Sequence, residues 1–367
     1  MPGSDNIYIH VPFCGSKCGY CAFYSESSPC PDLMDTYLAK LEMDFSGYQT
    51  VGPIDTIFIG GGTPSLLPPE QLERLFKLII KNFRTDNNAE ITIECNPETV
   101  TAEKAEIIAG FANRVSVGVQ SFSPVMLKRL GRNAGPEDID RTLNLLHHHA
   151  MDNINIDLIY GIPGQSRKDF AGDLEEAVDL GIKHISCYAL TPEETALLST
   201  PELAAHLTDD EAETEMWFLS GNTLAKLGIM RYEISNYAAP GYRCRHNWNV
   251  WHGQRYTGFG PSACSFDGVL RKTEATPIRN WLNGEPPELD QLEPYSRSLE
   301  VFAMGLRTVD GWSRQEWENC ALPEKMDWKE LAKFQPIQDH AIITEERIKL
   351  NDIGLLFWDN IAMDILD

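Results

Sequence analysis

The chain has 367 residues, 43% of them apolar, and a formal net charge of −23. Such an apolar share fills a core, no apolar run is long enough to cross a bilayer, and so acidic a chain lacks the basic footprint that binds a nucleic-acid backbone. The length suits one large α/β domain, placed at 1–240, and a smaller one at 241–367. The first predicted strand is Ile7–Val11, followed at once by the run CGSKCGYC. Thr56–Ile59 is the next strand and ends in Gly60-Gly61-Gly62-Thr63-Pro64-Ser65. A helix over Glu70–Phe83 follows, with Leu72, Leu75, Phe76, Ile79 and Ile80 as its apolar face. Further strands are Ile91–Glu94, Val115–Gln120, Ile154–Leu158 and Ile185–Ala189.

Alternating strands and helices imply a parallel sheet with right-handed crossovers. Six units fall short of an eight-fold barrel, so a partial (β/α)6 barrel is expected. Residue alternation then separates two faces. Val115, Val117 and Val119 oppose Ser116, Gly118 and Gln120; Ile154, Ile156 and Leu158 oppose Asn155 and Asp157; Ile91 and Ile93 oppose Thr92 and Glu94. In the first strand Tyr8 and His10 oppose Ile7, Ile9 and Val11. A flat sheet covered on both faces would be apolar on both. One polar face implies a curved sheet with a lumen for a polar ligand. Ile185–Ala189 is less tidy, with Cys187 and Tyr188 both expected half-buried. The cysteine run, the glycine turn, Glu94, Gln120 and Asp157 all fall late in their strands, on the rim where parallel α/β folds bind ligands.

Cys14, Cys18 and Cys21 can hold three irons of a [4Fe–4S] cluster, which normally takes four cysteines. Phe23 stands where a local fourth would be, and Cys30 lies beyond a polar stretch. One iron would then be open to a small molecule. Structural zinc uses paired motifs, and no second pair is present. Nine cysteines in 367 residues, with no secretory signal before the run, do not suggest a disulfide scaffold; a reducing cytoplasm is expected. The glycine turn matches neither a dinucleotide fingerprint nor a phosphate loop.

Together CGSKCGYC, GGGTPS, ECNPE, SVGVQSF, LGRNA, IDLIYGIPGQS and YEISNYA resemble the radical S-adenosylmethionine enzymes. The likeness is closest to the branch that contains anaerobic coproporphyrinogen oxidase and the HemW-type haem chaperones. It implies a radical-SAM partial barrel with a small helical and wing-like accessory domain covering the open side. It implies that the open iron chelates the methionine part of S-adenosylmethionine, which a single electron cleaves to a deoxyadenosyl radical. By the same resemblance Tyr8, Gly61, Gly62, Thr63 and Glu94 contact S-adenosylmethionine, and Tyr20 shields the cluster. Gln120, Arg132, Asp157 and Ala189 match positions that bind a second such molecule in the oxidase branch.

Phe23, and the few residues before the first strand, depart from the oxidases and resemble the chaperones. The run Cys244-Arg245-His246-Asn247-Trp248-Asn249-Val250-Trp251 resembles their HNxxYW haem-binding motif, with Val250 replacing the tyrosine. It implies haem bound as cargo near His246, Asn247 and Trp251, with His246 as axial ligand or Cys244 as the alternative. The implied partners are haem, a haem-acceptor protein that could be a membrane protein met transiently, and a reductant such as flavodoxin or ferredoxin, with no nucleic acid. The competing reading is an oxygen-independent coproporphyrinogen III oxidase, or another radical enzyme acting on a porphyrin. His147, His148 and His149 read as a solvated helix end, because consecutive residues point different ways. Most of the tryptophans after Tyr242 read as packing.

Overall fold

The computed structural model describes residues 5–49, 52–191 and 210–366. Six parallel strands carry the fold: β1 Asp5–Val11, β2 Ile54–Gly61, β3 Thr85–Cys95, β4 Arg114–Gln120, β5 Ile154–Tyr160 and β6 His184–Ala189. They are adjacent in chain order, each paired in parallel with the next. Helices Pro31–Gly47, Pro69–Asn82, Ala102–Ala109, Pro136–His148 and Arg167–Asp179 make the crossovers. Ile7, Ile9, Ile57, Ile59, Ile93, Val115, Val117, Ile154 and Ile156 are fully buried on the helix-facing side. Each such side chain contributes about 1.5–3 kcal/mol, and this stripe holds the helices on the sheet.

Two expectations need correction. Ile80 is 67% exposed, and Leu78, at 6%, is buried in its place. The two residues flank the apolar face on opposite sides. The Leu78 flank leans on helix Pro31–Gly47, where Gln71 donates to Asp35. On β6 the alternation is regular after all: Cys187 is buried at 2% on the helix side, and Tyr188 is 42% exposed on the other.

The sheet runs on at both edges. After β6 comes Asn236–Ala238, antiparallel, and then Met230–Arg231. On the far edge Tyr256–Phe259 lies parallel to β1, followed by the antiparallel strands Cys264–Phe266, Arg271–Thr273 and Glu288–Asp290. The twelve strands form one linear order, and no pairing among the described residues joins its ends. A separate three-stranded sheet, Trp312–Ser313, Arg347–Leu350 and Ala341–Ile343, packs with helix Pro294–Leu306 near the end of the chain. Trp312, Trp317 and Trp328 are buried there, whereas Trp281 is buried against Tyr37 of helix Pro31–Gly47. No helix among the described residues is long and apolar enough to cross a membrane.

Candidate functional site

The polar sides of the six strands line a lumen with a mouth at their carboxyl ends and a floor at their amino ends. At the mouth, the cysteine loop leaves β1 and is pinned by the glycine turn that ends β2. Gly62 N–H donates to Val11 O at 2.9 Å, and Thr63 N–H to Phe13 O at 2.7 Å. The turn must be glycine for lack of space. A Cβ on Gly60 would sit 2.5 Å from Glu94 Oε2, and one on Gly62 within 2.8 Å of the Phe13 backbone. Gly61 also has φ +103°, which favours glycine.

The loop itself makes a tight turn, Cys21 N–H to Cys18 O at 3.2 Å. Cys14, Cys18 and Cys21 are all partly exposed. Cys14 Sγ lies 3.7 Å from Thr63 Oγ1, and Asn96 Nδ2 donates to that hydroxyl at 3.1 Å. Arg132 reaches in from beyond β4, with Nη2 donating to Gly118 O at 2.7 Å and to Asn96 Oδ1 at 3.2 Å. Its Nη1 points at Cys18 Sγ, 3.5 Å away. Burial pushes the Cys21 thiol up, so its thiolate is disfavoured until cations neutralise it. Tyr20 packs on Met126, Leu130, Ile159, Ile162 and Leu190 and roofs this corner. Phe23 is 68% exposed on the same loop. Cys30 caps helix Pro31–Gly47 and is exposed.

Below the mouth, Glu94 Oε2 accepts from Gly61 N–H at 3.0 Å. Burial, with the nearby Asp157 charge, pushes the Glu94 carboxyl up to about 7. Asp157 is also raised, by burial, and is held by Ser116 and Asn155. Tyr8 OH donates to His10 Nδ1 at 3.0 Å, because His10 Nε2–H donates to Tyr24 O. Burial holds His10 neutral, pushed down to about 4. Gln120 ends β4 with φ +69° beside a register shift. The shift skips Val119, so Gln120 still pairs with Leu158, and its left-handed backbone turns its side chain beside Gly118 at the mouth. Ala189 ends β6 opposite Tyr160.

The floor is a second constellation. Helix Arg245–Trp251 closes it, and Glu90 of β3 caps that helix: Arg245 N–H donates to Oε2 at 2.8 Å and His246 N–H to Oε1 at 3.0 Å. His246 Nδ1 lies 2.7 Å from Thr56 Oγ1, its ring packs on Phe58, and it is 5% exposed. Burial and Arg114 push its imidazole down to about 3. Cys244 is fully buried, which pushes its thiol up to about 12. Asn249 donates to Asn6 and Asp55. His184 bridges Asn155 Oδ1 and Tyr232 OH, at 2.6 and 2.8 Å. Trp251 lies in a small cluster with Tyr232 and Ala238, with Arg307 stacked over it at 4.9 Å. Asn247, beside His246 on the same helix, is half-buried.

The three cysteines and Tyr8, Gly61, Gly62, Thr63, Glu94, Gln120 and Arg132 therefore gather at or just below the mouth. Cys244, His246, Asn247 and Trp251 belong to the other end. The residues that sequence reasoning passed over are Asn96, which ties the cysteine loop to Arg132, and Glu90 and Arg114 on the floor. Asn96 was legible within ECNPE; Glu90 and Arg114 lay just outside the strand bounds drawn from apolar residues.

The mouth fits an iron–sulfur cluster by its donors. Among the described residues no three His, Cys, Asp or Glu side chains could hold one metal ion. A four-iron cluster instead takes one thiolate per iron, and three thiols on one loop meet that demand. Arg132 Nε and, deeper in the lumen, Thr92 Oγ1 and Arg114 Nε are buried without hydrogen-bond partners. Such orphaned groups suit a polar ligand in the lumen.

A cysteine-bearing partial barrel of this kind is the architecture of the radical S-adenosylmethionine enzymes, and the Radical SAM superfamily model matches residues 8–177. Coproporphyrinogen III oxidase (HemN) from Escherichia coli, a radical SAM enzyme, superposes with a TM-score of 0.83 at 20% identity, covering 99% of this chain and 90% of that one. At that identity the match speaks for the fold. The haem chaperone HemW of Escherichia coli K12 is 36% identical over 85% of each chain. HemW of Bacillus subtilis is 32% identical over 85% of this chain and 86% of its own, and HemW of Lactococcus lactis 29% over 97% and 96%. The chain belongs to the HemW family of the radical SAM superfamily.

Proposed function

We propose that this protein is a haem chaperone that carries a [4Fe–4S] cluster on Cys14, Cys18 and Cys21, binds S-adenosylmethionine in the barrel mouth, and hands haem to an acceptor protein. The observation that carries the reading is the mouth itself: three thiols on one pinned loop, above a polar lumen, with exposed Phe23 where a fourth ligand would stand. When bound, the cluster supplies an open iron and one electron for S-adenosylmethionine. The chain's own part is to place and shield. Thr63 and Arg132 hold the loop, and Gly60–Gly62 leave room for close backbone approach. Glu94 presents a carboxyl to a cationic group, Tyr8 and His10 fix the wall beneath, and Tyr20 keeps water from one side. Gln120 and Asp157 line the far side of the same lumen, and Ala189, its side chain on the helix-side core, offers backbone at the end of β6.

Haem is held by His246, with Asn247 and Trp251 beside it and Cys244 as the alternative ligand. In the described conformation His246 is hydrogen-bonded inside the floor, so haem ligation requires helix Arg245–Trp251 to come away from Glu90 and Thr56. The electron comes from a one-electron protein reductant such as flavodoxin or ferredoxin, and the working compartment is the cytoplasm. The test is anaerobic reconstitution followed by haem titration. A saturable Soret change at one haem per chain, with no conversion of coproporphyrinogen III, supports the reading. Conversion to protoporphyrinogen would overturn it in favour of an oxidase.

A further inference from the structure

Arg132 is held in an unusual way for a residue that a mobile ligand is meant to recruit. One guanidinium nitrogen is shared between a backbone oxygen at the end of β4, Gly118 O at 2.7 Å, and the Asn96 side chain at the end of β3. These two anchors fix its plane with no help from the cysteine loop. The other terminal nitrogen, Nη1, is thereby aimed at Cys18 Sγ at 3.5 Å. Nε is buried without a partner. Asn96 in turn holds Thr63, whose hydroxyl faces Cys14 Sγ. Arg132 and Thr63 thus present one donor to each of two of the three thiols, and one of those donors carries a full positive charge.

We propose that Arg132 is a redox-positioning residue: its N–H···S bond to Cys18 raises the reduction potential of the bound cluster. This rests on the cluster reading above. Taking up one electron from a one-electron reductant makes the cluster more negative by one charge, and no bond is made or broken. A fixed guanidinium and an N–H donor at a ligating sulfur stabilise the reduced form more than the oxidised one, and hydrogen bonds to the sulfurs are a known lever on cluster potential. The low-dielectric wall of Tyr20 and its apolar neighbours keeps water from screening that charge. Arg132 is therefore committed to the cluster before any second ligand arrives.

The experiment is a potentiometric titration of the reconstituted cluster, followed by electron paramagnetic resonance without S-adenosylmethionine, in wild type, Arg132→Gln and Arg132→Lys. The Gln variant should hold the same iron and have a lower midpoint, so that at a fixed poise the reduced-to-oxidised ratio falls about tenfold, or about 59 mV for one electron. Lys keeps the charge but cannot hold both anchors and the sulfur, so its midpoint should fall by less. Should the Gln chain fail to take iron, the Lys chain carries the same test. Equal midpoints in cluster-loaded wild type and variant overturn the inference while leaving the cluster reading intact. A wild-type chain that takes up no iron overturns both.

Discussion

Glu90→Gln at the barrel floor changes one atom and keeps the side-chain volume. Glu90 is 7% exposed, and its two oxygens separately accept the first backbone N–H groups of helix Arg245–Trp251, at 2.8 and 3.0 Å. Gln keeps one acceptor and turns an NH2 toward the other N–H. The loss is one charge-assisted hydrogen bond, about 1.5–3 kcal/mol, and a buried donor left facing a donor, about 1–3 kcal/mol more. Part of this is recovered if the helix shifts, so about 2–4 kcal/mol is expected, a large share of an ordinary domain's stability. Urea unfolding followed by tryptophan fluorescence reads it, since Trp248 and Trp251 ride on the helix concerned. The same variant should bind haem more tightly, because it weakens the contacts that hold His246 in the floor. An unchanged urea midpoint would refute the capping argument. Lower stability with weaker haem binding would refute the release of His246.

Replacing Cys14, Cys18 or Cys21 by Ala should abolish the cluster's absorption after anaerobic reconstitution, while Cys30→Ala, at an exposed helix cap, should keep it. Glu94→Gln should stabilise the cluster-free chain at pH 8 by about 1–3 kcal/mol and leave it unchanged at pH 4. The sign follows because the folded carboxyl, near 7, lies above its ordinary 4.5, so wild type loses stability as pH rises between those values and Gln does not. The same variant should weaken the change that S-adenosylmethionine makes in the spectrum of the reduced cluster, at equal iron content. His246→Ala should shift or weaken the Soret band of the haem complex without altering iron; an unchanged band would move the ligand to Cys244 or elsewhere.

The barrel strands were legible through their apolar alternation, clearest in Arg114–Gln120, where the three valines alone define the helix side, and weakest in Ile185–Ala189. Their ends were not. Thr85–Asn88 and Glu90 carry no apolar signal, yet β3 starts at Thr85 because β2 and the floor helix supply partners from far along the chain. The cysteine motif was readable from spacing alone, and the glycine turn gained its meaning only from sharing the rim with it. What sequence could not show is which end of the barrel His246 occupies. That is fixed by tertiary contacts with Thr56 and Glu90, 190 and 156 positions away. Ile80 was misplaced for a similar reason, since helical periodicity draws the face but a neighbouring helix decides its edge.

The neighbours of β1 have a consequence for synthesis. One edge of this strand pairs with β2, and the other with Tyr256–Phe259. Once a ribosome has delivered the cysteine loop, about two hundred and forty further residues must emerge before the second edge is covered. Until then a hydrophobic strand beside three unliganded thiols stands open to pairing with other chains. A chain cut after residue 240 would keep that edge open for good, and should aggregate even though it contains every cysteine of the cluster motif. Iron is then best loaded after release, when the barrel wall behind the loop is complete.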